Sequence, residues 1–393
     1  MTRPNYQGGS IVNLMGSLVA ARGGRPPYPP LDLLAGHNLE RAQNILLLVI
    51  DGLGADWLAR RSPDGILSRA RLGAITSVFP ATTAAAITSY LTALAPLQHG
   101  LTGWFTYLRE LGCVMTVLPG TPRYGGVSYR HAGIDPARLF GNTPVFERIR
   151  TAGVCLSPAF IAYSDFNLAH AGPAEIVPFE GLRDLFRRAS SVIRGRARWF
   201  GPRRPEPRYI YAYWPLLDSI GHARGMESQA AVAHLAEIEQ ALADFIATAS
   251  GSDTIVLVSA DHGQIDIGPD DIIDLADHPE LSDALLLPLC GEPRAAFCYV
   301  RAGRAGWFED YCRGELGDRV DLSPSRQLVE AGLFGVGEPH PRFMERIGDY
   351  CLLPRGSHII RDALPHEQPH AQIGVHGGLS QAELMVPLCL FYA

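Results

Sequence analysis

Six side chains able to bind a divalent cation stand in this sequence close to the ends of apolar runs, five after a run and one before. Asp51 follows Asn44 to Ile50, Asp218 and His222 follow Tyr209 to Tyr213, and Asp261 and His262 follow Thr254 to Ser259. His376 sits in Gly374-Val375-His376-Gly377-Gly378, shortly before the apolar run Met385 to Tyr392. Three carboxylates and three imidazoles form an oxygen and nitrogen donor set suited to zinc, with manganese or iron compatible at one position. Two such ions about 4 Å apart can hold the attacking and leaving oxygens of an in-line displacement at phosphorus. A hydroxyl completes the set. Thr82 and Thr83 open the Ala-rich run Ala81 to Leu91, where helix amides favour an anion and a hydroxyl held by a cation becomes a nucleophile at neutral pH.

Taken singly, each residue has a plainer reading. Asp-Gly is usually a turn or Asp51 a helix cap, Thr at a helix start is usually an N-cap, and His222 and His376 are loop histidines that packing could satisfy. Asp261-His262-Gly263 is more pointed, because an acid and an imidazole directly after a fully apolar strand serve no packing purpose. The coincidence at several strand ends carries the metal-site reading.

The elements that must position these groups follow from periodicity. Asn44 to Ile50 reads as a strand buried on both faces, and in open parallel sheets ligands bind beyond the carboxyl ends of such strands. Leu72 to Val78, Tyr209 to Tyr213, Thr254 to Ser259 and Met385 to Tyr392 read as further strands. Ala81 to Leu91 and Glu227 to Ala249 read as helices, the second with an apolar stripe through Ala231, Leu235, Ile238, Leu242 and Ile246. The expected architecture is a three-layer α/β sandwich with a central, mostly parallel sheet. Residues 1–43, rich in Gly and Pro, read as a surface lead-in. Residues 44–393 read as one catalytic domain, with weakly periodic insertions near 105–208 and 266–365 capping the crevice.

Of 393 residues, 47% are hydrophobic and the formal net charge is −6, which describes a globular chain with no nucleic-acid footprint. The densest basic stretch, Arg194 to Arg208, reads as a solvated loop. The 7 cysteines are odd in number and lack Cys-x-x-Cys spacing, which argues against a disulfide framework or thiolate zinc site. A reducing, cytoplasmic compartment fits this pattern. Ser10 to Ala21 resembles a weak signal-peptide core, so export is the second reading. No apolar run is long enough to span a membrane.

Order and spacing then resemble the alkaline phosphatase superfamily, in its type I phosphodiesterase/nucleotide pyrophosphatase branch. The resemblance rests on Asp51-Gly52, Phe79-Pro80-Ala81-Thr82-Thr83, Thr92-Ala93-Leu94-Ala95-Pro96 with His99-Gly100, Asp218 with Gly221-His222, Asp261-His262-Gly263 and His376-Gly377. It implies an α/β sandwich with two zinc ions, one on Asp218, His222 and His376, the other on Asp51, Asp261, His262 and the nucleophilic hydroxyl. The family's spacing to the Thr92 element selects Thr83 as nucleophile and leaves Thr82 as a neighbouring cap. The implied activity is hydrolysis of a small-molecule phosphodiester or pyrophosphate through a phosphothreonine. A phosphonate or phosphomonoester substrate is the alternative on the same site, and a catalytically degenerate metal-binding protein is the alternative of another class. Two departures stand out. Trp104 occupies the place of an Asn that helps bind a phosphate oxygen, and Ala84 that of the Arg which follows the nucleophile in the monoesterase branch. The sulfatase pattern is absent after Thr83. Trp104, Tyr107 and the aromatic segment Phe160 to Phe166 are candidate walls of the substrate pocket. Oligomeric state is not readable.

Overall fold

The structure is a computed structural model and describes residues 2–195, 206–365, 367 and 372–393. Most of the Arg194 to Arg208 basic stretch lies outside the described residues. The central sheet is built from β1 (Asn44–Ile50), β2 (Arg71–Thr76), β3 (Ala152–Pro158), β4 (Glu175–Phe179), β5 (Arg208–Trp214), β6 (Thr254–Ser259) and β7 (Met385–Tyr392), in the order β2-β7-β6-β1-β5-β3-β4. Only β7 runs antiparallel to its neighbours. It lies inside the sheet, between β2 and β6. The mixed α/β fold around a mostly parallel sheet is the one expected.

All residues of β1 and β6 are buried, which is why both read as unbroken Ile, Leu and Val runs. Their register pairs Val49 with Ser259, and Ile50 with Trp214 of β5. The segments after the three strands therefore leave the sheet at one edge. Asp51, Asp218 and Asp261 all stand there.

Three expectations need correction. The lead-in is not only a surface segment: Ile11–Ala21 forms helix α1, buried from Ile11 to Val19, and it packs on helix α2 (Thr83–Thr92). Ser10 and Asn13 close a capping box at its start. Its apolar residues wrap the whole helix, so it lacks an amphipathic signature and mimics a signal-peptide core.

Residues 105–208 are not a cap throughout. Ala152–Pro158 and Glu175–Phe179 extend the central sheet, and helix α3 (Gly181–Arg194) packs against helix α5 (Gln229–Ala249), with α4 (Leu216–Arg224) between β5 and α5 in the chain. The signal is weak because β4 is a half-buried edge strand containing Pro178, where Pro is tolerated.

Residues 266–365 are less irregular than they read. Together with residues 105–122 they supply a second seven-stranded sheet, ordered Val320–Pro324, Tyr350–Pro354, Ala295–Cys298, Cys290–Glu292, Phe105–Leu108, Cys113–Thr116 and Thr121–Pro122. All its pairings are antiparallel. Strands of two to five residues are too short for alternation to declare itself. This sheet has its own core, in which Phe79, Phe297, Phe334 and Phe343 meet. All seven cysteines are free thiols, six of them buried.

Candidate active site and metal centre

The predicted ligands stand at strand ends, in the turns after them, or on the helices that follow. Asp51 directly follows β1, and its amide still pairs with Trp214 O at 2.9 Å, so the carboxylate is fixed to the sheet. It caps no helix, since the next one starts after Gly54 with no side-chain cap. Gly52, at φ 77, turns the chain where a Cβ would meet Asp218 Cα at 3.1 Å. Asp218 and His222 belong to α4 rather than to a loop, and their i, i+4 spacing puts both on one face, with His222 Nε2 3.3 Å from Asp218 Oδ2. Asp261 Oδ1 accepts the amides of Gly52 at 3.2 Å and His262 at 2.9 Å.

The three imidazoles are oriented alike. His222 Nδ1 lies 2.7 Å from Gly374 O, His262 Nδ1 3.1 Å from Gly263 O, and His376 Nδ1 3.1 Å from Ala81 O. A main-chain carbonyl only accepts hydrogen bonds, so each ring turns an Nδ1–H to it and presents Nε2 to the site. The His262 and His376 rings stack with centroids 3.7 Å apart. Thr83, the first residue of α2, places Oγ1 3.1 Å from His262 Nε2.

Burial dominates the electrostatics. It raises the carboxyls of Asp51 and Asp218, and that of Asp261 to about 6; for Asp51 the neighbouring Asp218 and Asp261 add to it. Burial also lowers His262 to about 3 and His376 well below the usual imidazole range. Three buried acids crowd together beside His262 and His376, which burial keeps from carrying a compensating charge, so ionising the acids calls for a cation. Among the described residues Asp51 Oδ1 and Asp261 Oδ2 have no hydrogen-bond partner, and each lies 3.4 Å from His262 Nε2. Orphaned buried carboxylate oxygens beside imidazole lone pairs are what a cation requires of its ligands. Donor atoms of Asp218, His222 and His376 lie within 4.8 Å of one another, as do those of Asp51, Asp218 and His262. The first group is the predicted one. In the second, Asp218 joins Asp51 and His262, so this carboxylate stands between the two clusters.

The remaining expectations fare unevenly. Trp104 is 38% exposed. Tyr107 packs edge-on against Tyr299, with centroids 5.3 Å apart, and none of its described contacts is with the ligand side chains. In the aromatic segment, Phe160 (79% exposed) and Tyr163 (58%) lie beyond the carboxyl end of β3, while Phe166 is buried against His170. Thr82 holds the N-cap position of α2 but makes no side-chain cap bond, because its hydroxyl donates to Glu292. Two polar groups at the site escaped sequence reasoning. Tyr213 OH donates to Asp51 Oδ2, and Glu292, whose carboxyl burial raises to about 7, accepts from Thr82 and from the Trp104 amide. Tyr213 lay in a strand read only for its apolar character, and Glu292 lay in a stretch read as irregular.

Residues 45–306 match the sequence pattern of the type I phosphodiesterase/nucleotide pyrophosphatase family. The chain belongs to that family. It is therefore a phosphoester hydrolase of the phosphodiesterase and nucleotide pyrophosphatase kind. No curated protein matches its sequence. Among solved structures it resembles murine ectonucleotide pyrophosphatase/phosphodiesterase 5, with a TM-score of 0.65 at 15% identity over 88% of this chain and 87% of that one. The human counterpart gives 0.64 at 15% identity, with the same coverage of both chains. An inactive Thr-to-Ala form of the murine protein in complex with AMP gives 0.62, also at 15% identity over 88% and 87%. At this identity the structural likeness speaks to the family's fold. No described helix is long and apolar enough to cross a membrane.

Proposed function

We propose that this family member hydrolyses a small phosphodiester or pyrophosphate with Thr83 as nucleophile, and that its donor set holds two divalent ions, zinc by ligand type. The observation that carries the reading is the approach of Thr83 Oγ1 to His262 Nε2, at 3.1 Å, beside the unpartnered oxygens of Asp51 and Asp261. A hydroxyl and an imidazole nitrogen at that spacing would both reach one cation placed between them and the two oxygens. Asp51, Asp261, His262 and Thr83 would hold one ion, and Asp218, His222 and His376 the other. When bound, such ions lower the pKa of a coordinated hydroxyl and neutralise charge on the reacting oxygens.

The chain's own groups supply the rest. Thr83 Oγ1 attacks phosphorus as the bond to the leaving oxygen breaks, giving a phosphothreonine that water then hydrolyses. The first amides of α2 lack a side-chain cap and are available to a phosphoryl oxygen. Ala84 offers no guanidinium to a doubly charged phosphoryl group, which favours a diester over a monoester. The AMP complex of the murine neighbour suits a nucleotide-type substrate.

Elemental analysis paired with a chromogenic phosphodiester assay tests this. The expected result is about two zinc ions per chain, and Thr83→Ala inactive with its zinc retained. Full activity of Thr83→Ala overturns the covalent mechanism. A protein that takes up no zinc overturns the metal reading, and silence toward diesters, monoesters and phosphonates alike points to a binding role.

A further inference from the structure

We infer that Glu292 is a positioning residue for the nucleophile, acting through Thr82 and Trp104 from the second sheet. The inference rests on Thr83 being the attacking group. Glu292 ends the strand Cys290–Glu292, which turns through Pro293-Arg294 into Ala295–Cys298. Its side chain is buried, and a single oxygen, Oε1, accepts the Thr82 hydroxyl at 2.5 Å and the Trp104 amide at 2.6 Å.

Both donors are diverted from what they would otherwise do. A Thr at an N-cap ordinarily turns its hydroxyl back onto the helix amides, yet Thr82 makes no such bond. Glu292 thus keeps the start of α2 open for a phosphoryl oxygen and pins the residue immediately before Thr83. Trp104 offers no side-chain amide, and its main-chain amide is spent on Glu292. The second sheet does the holding.

The same turn grips the other side of the site. Gly377, next to His376, bridges to Ala81, and a Cβ there would meet Glu292 Cβ at 2.7 Å. Arg294 pairs with buried Glu383 at 2.8 Å, and Glu383 accepts the Gly378 amide at 2.8 Å. One turn therefore touches the loop of Thr83 and the loop of His376. Of its two acidic and basic members, Glu292 is the one that reaches the nucleophile's neighbour.

The test is a double-mutant cycle on the zinc-loaded full chain with bis(4-nitrophenyl) phosphate. Glu292→Ala and Thr82→Val should each lower kcat about tenfold or more with zinc content unchanged, and the double variant should be no worse than the poorer single one. Glu292→Gln keeps the acceptor oxygen and should restore kcat to within about threefold of the parent, with the same pH profile. Additive losses, loss of zinc in Glu292→Ala, or Glu292→Gln as poor as Glu292→Ala would each overturn the inference. Should Glu292→Ala fail to fold, full activity of Thr82→Val alone overturns it. Thr83→Ala separates the two readings: if it is active the nucleophile assignment fails, and if it is dead while Glu292→Ala is normal only the positioning role fails.

Discussion

Which oxygen of Asp51 is free for a cation is decided by Tyr213, a residue of the neighbouring strand. Its hydroxyl takes Oδ2 and leaves Oδ1 unpartnered. The same hydrogen bond lowers the pKa of a carboxyl that burial and two neighbouring acids push upward. Tyr213→Phe removes that stabilisation of the charged form, so protons compete better with the metal. Loss of such a supporting contact costs about tenfold to hundredfold in metal affinity or activity. Zinc affinity of Tyr213→Phe, measured by chelator competition, should fall at least about tenfold, and by more at pH 6 than at pH 8. Equal affinities at both pH values would show that Asp51 does not depend on this bond.

At the scale of elements, the short helix Asp165–Ala171 should be sensitive to acid. His170 is buried between Phe140 and Phe166, its Nδ1 lies 2.8 Å from Phe166 O, and its Nε2 has no hydrogen-bond partner among the described residues. Burial lowers it to about 4. A histidine depressed from its unfolded value near 6.5 binds its proton first in the unfolded chain, so stability is full above about pH 6.5 and drains away toward pH 4. From pH 7 to pH 5 this one group costs about 2 kcal/mol. His170→Leu should therefore lose that much less stability across this interval in urea unfolding at the two pH values, and an unchanged pH dependence would refute the assignment. Elements of this kind were the hardest to see from sequence. β1 and β6 were legible because strands buried on both faces must be apolar throughout; Asp261 and His262 stood out as candidates because packing does not explain them there, and Asp51 only through the coincidence of such groups at several strand ends. Helix α1 was hidden because total burial erases amphipathic period, and β4 because an edge strand tolerates Pro178. Glu292 was hidden because its partners, Thr82 and Trp104, are about two hundred residues away, a closeness only topology creates.

For the whole molecule, the question is what holds the second sheet to the first at the site. Arg294 leaves the second sheet and is buried against Glu383, just before β7, with Nε to Oε1 at 3.1 Å and Nη2 to Oε2 at 2.8 Å. Its Nη1 also donates to His358 O at 2.6 Å, and Glu383 holds the Gly378 amide and the Ser380 hydroxyl. A buried bidentate pair gains little over an apolar contact, because two ions must first be desolvated; breaking it is another matter, since one charge is then left alone in the interior. Arg294→Met should destabilise the protein by about 3–5 kcal/mol, and Arg294→Met combined with Glu383→Leu by clearly less than the two single losses summed. Urea unfolding measures both. If the pair also couples the second sheet to the His376 loop, Arg294→Met should weaken zinc binding, whereas a destabilising change in the contact between α3 and α5, such as Phe186→Ala, should not. A loss of stability without loss of zinc affinity would make the pair a structural bolt, leaving Glu292 as the second sheet's route to the chemistry.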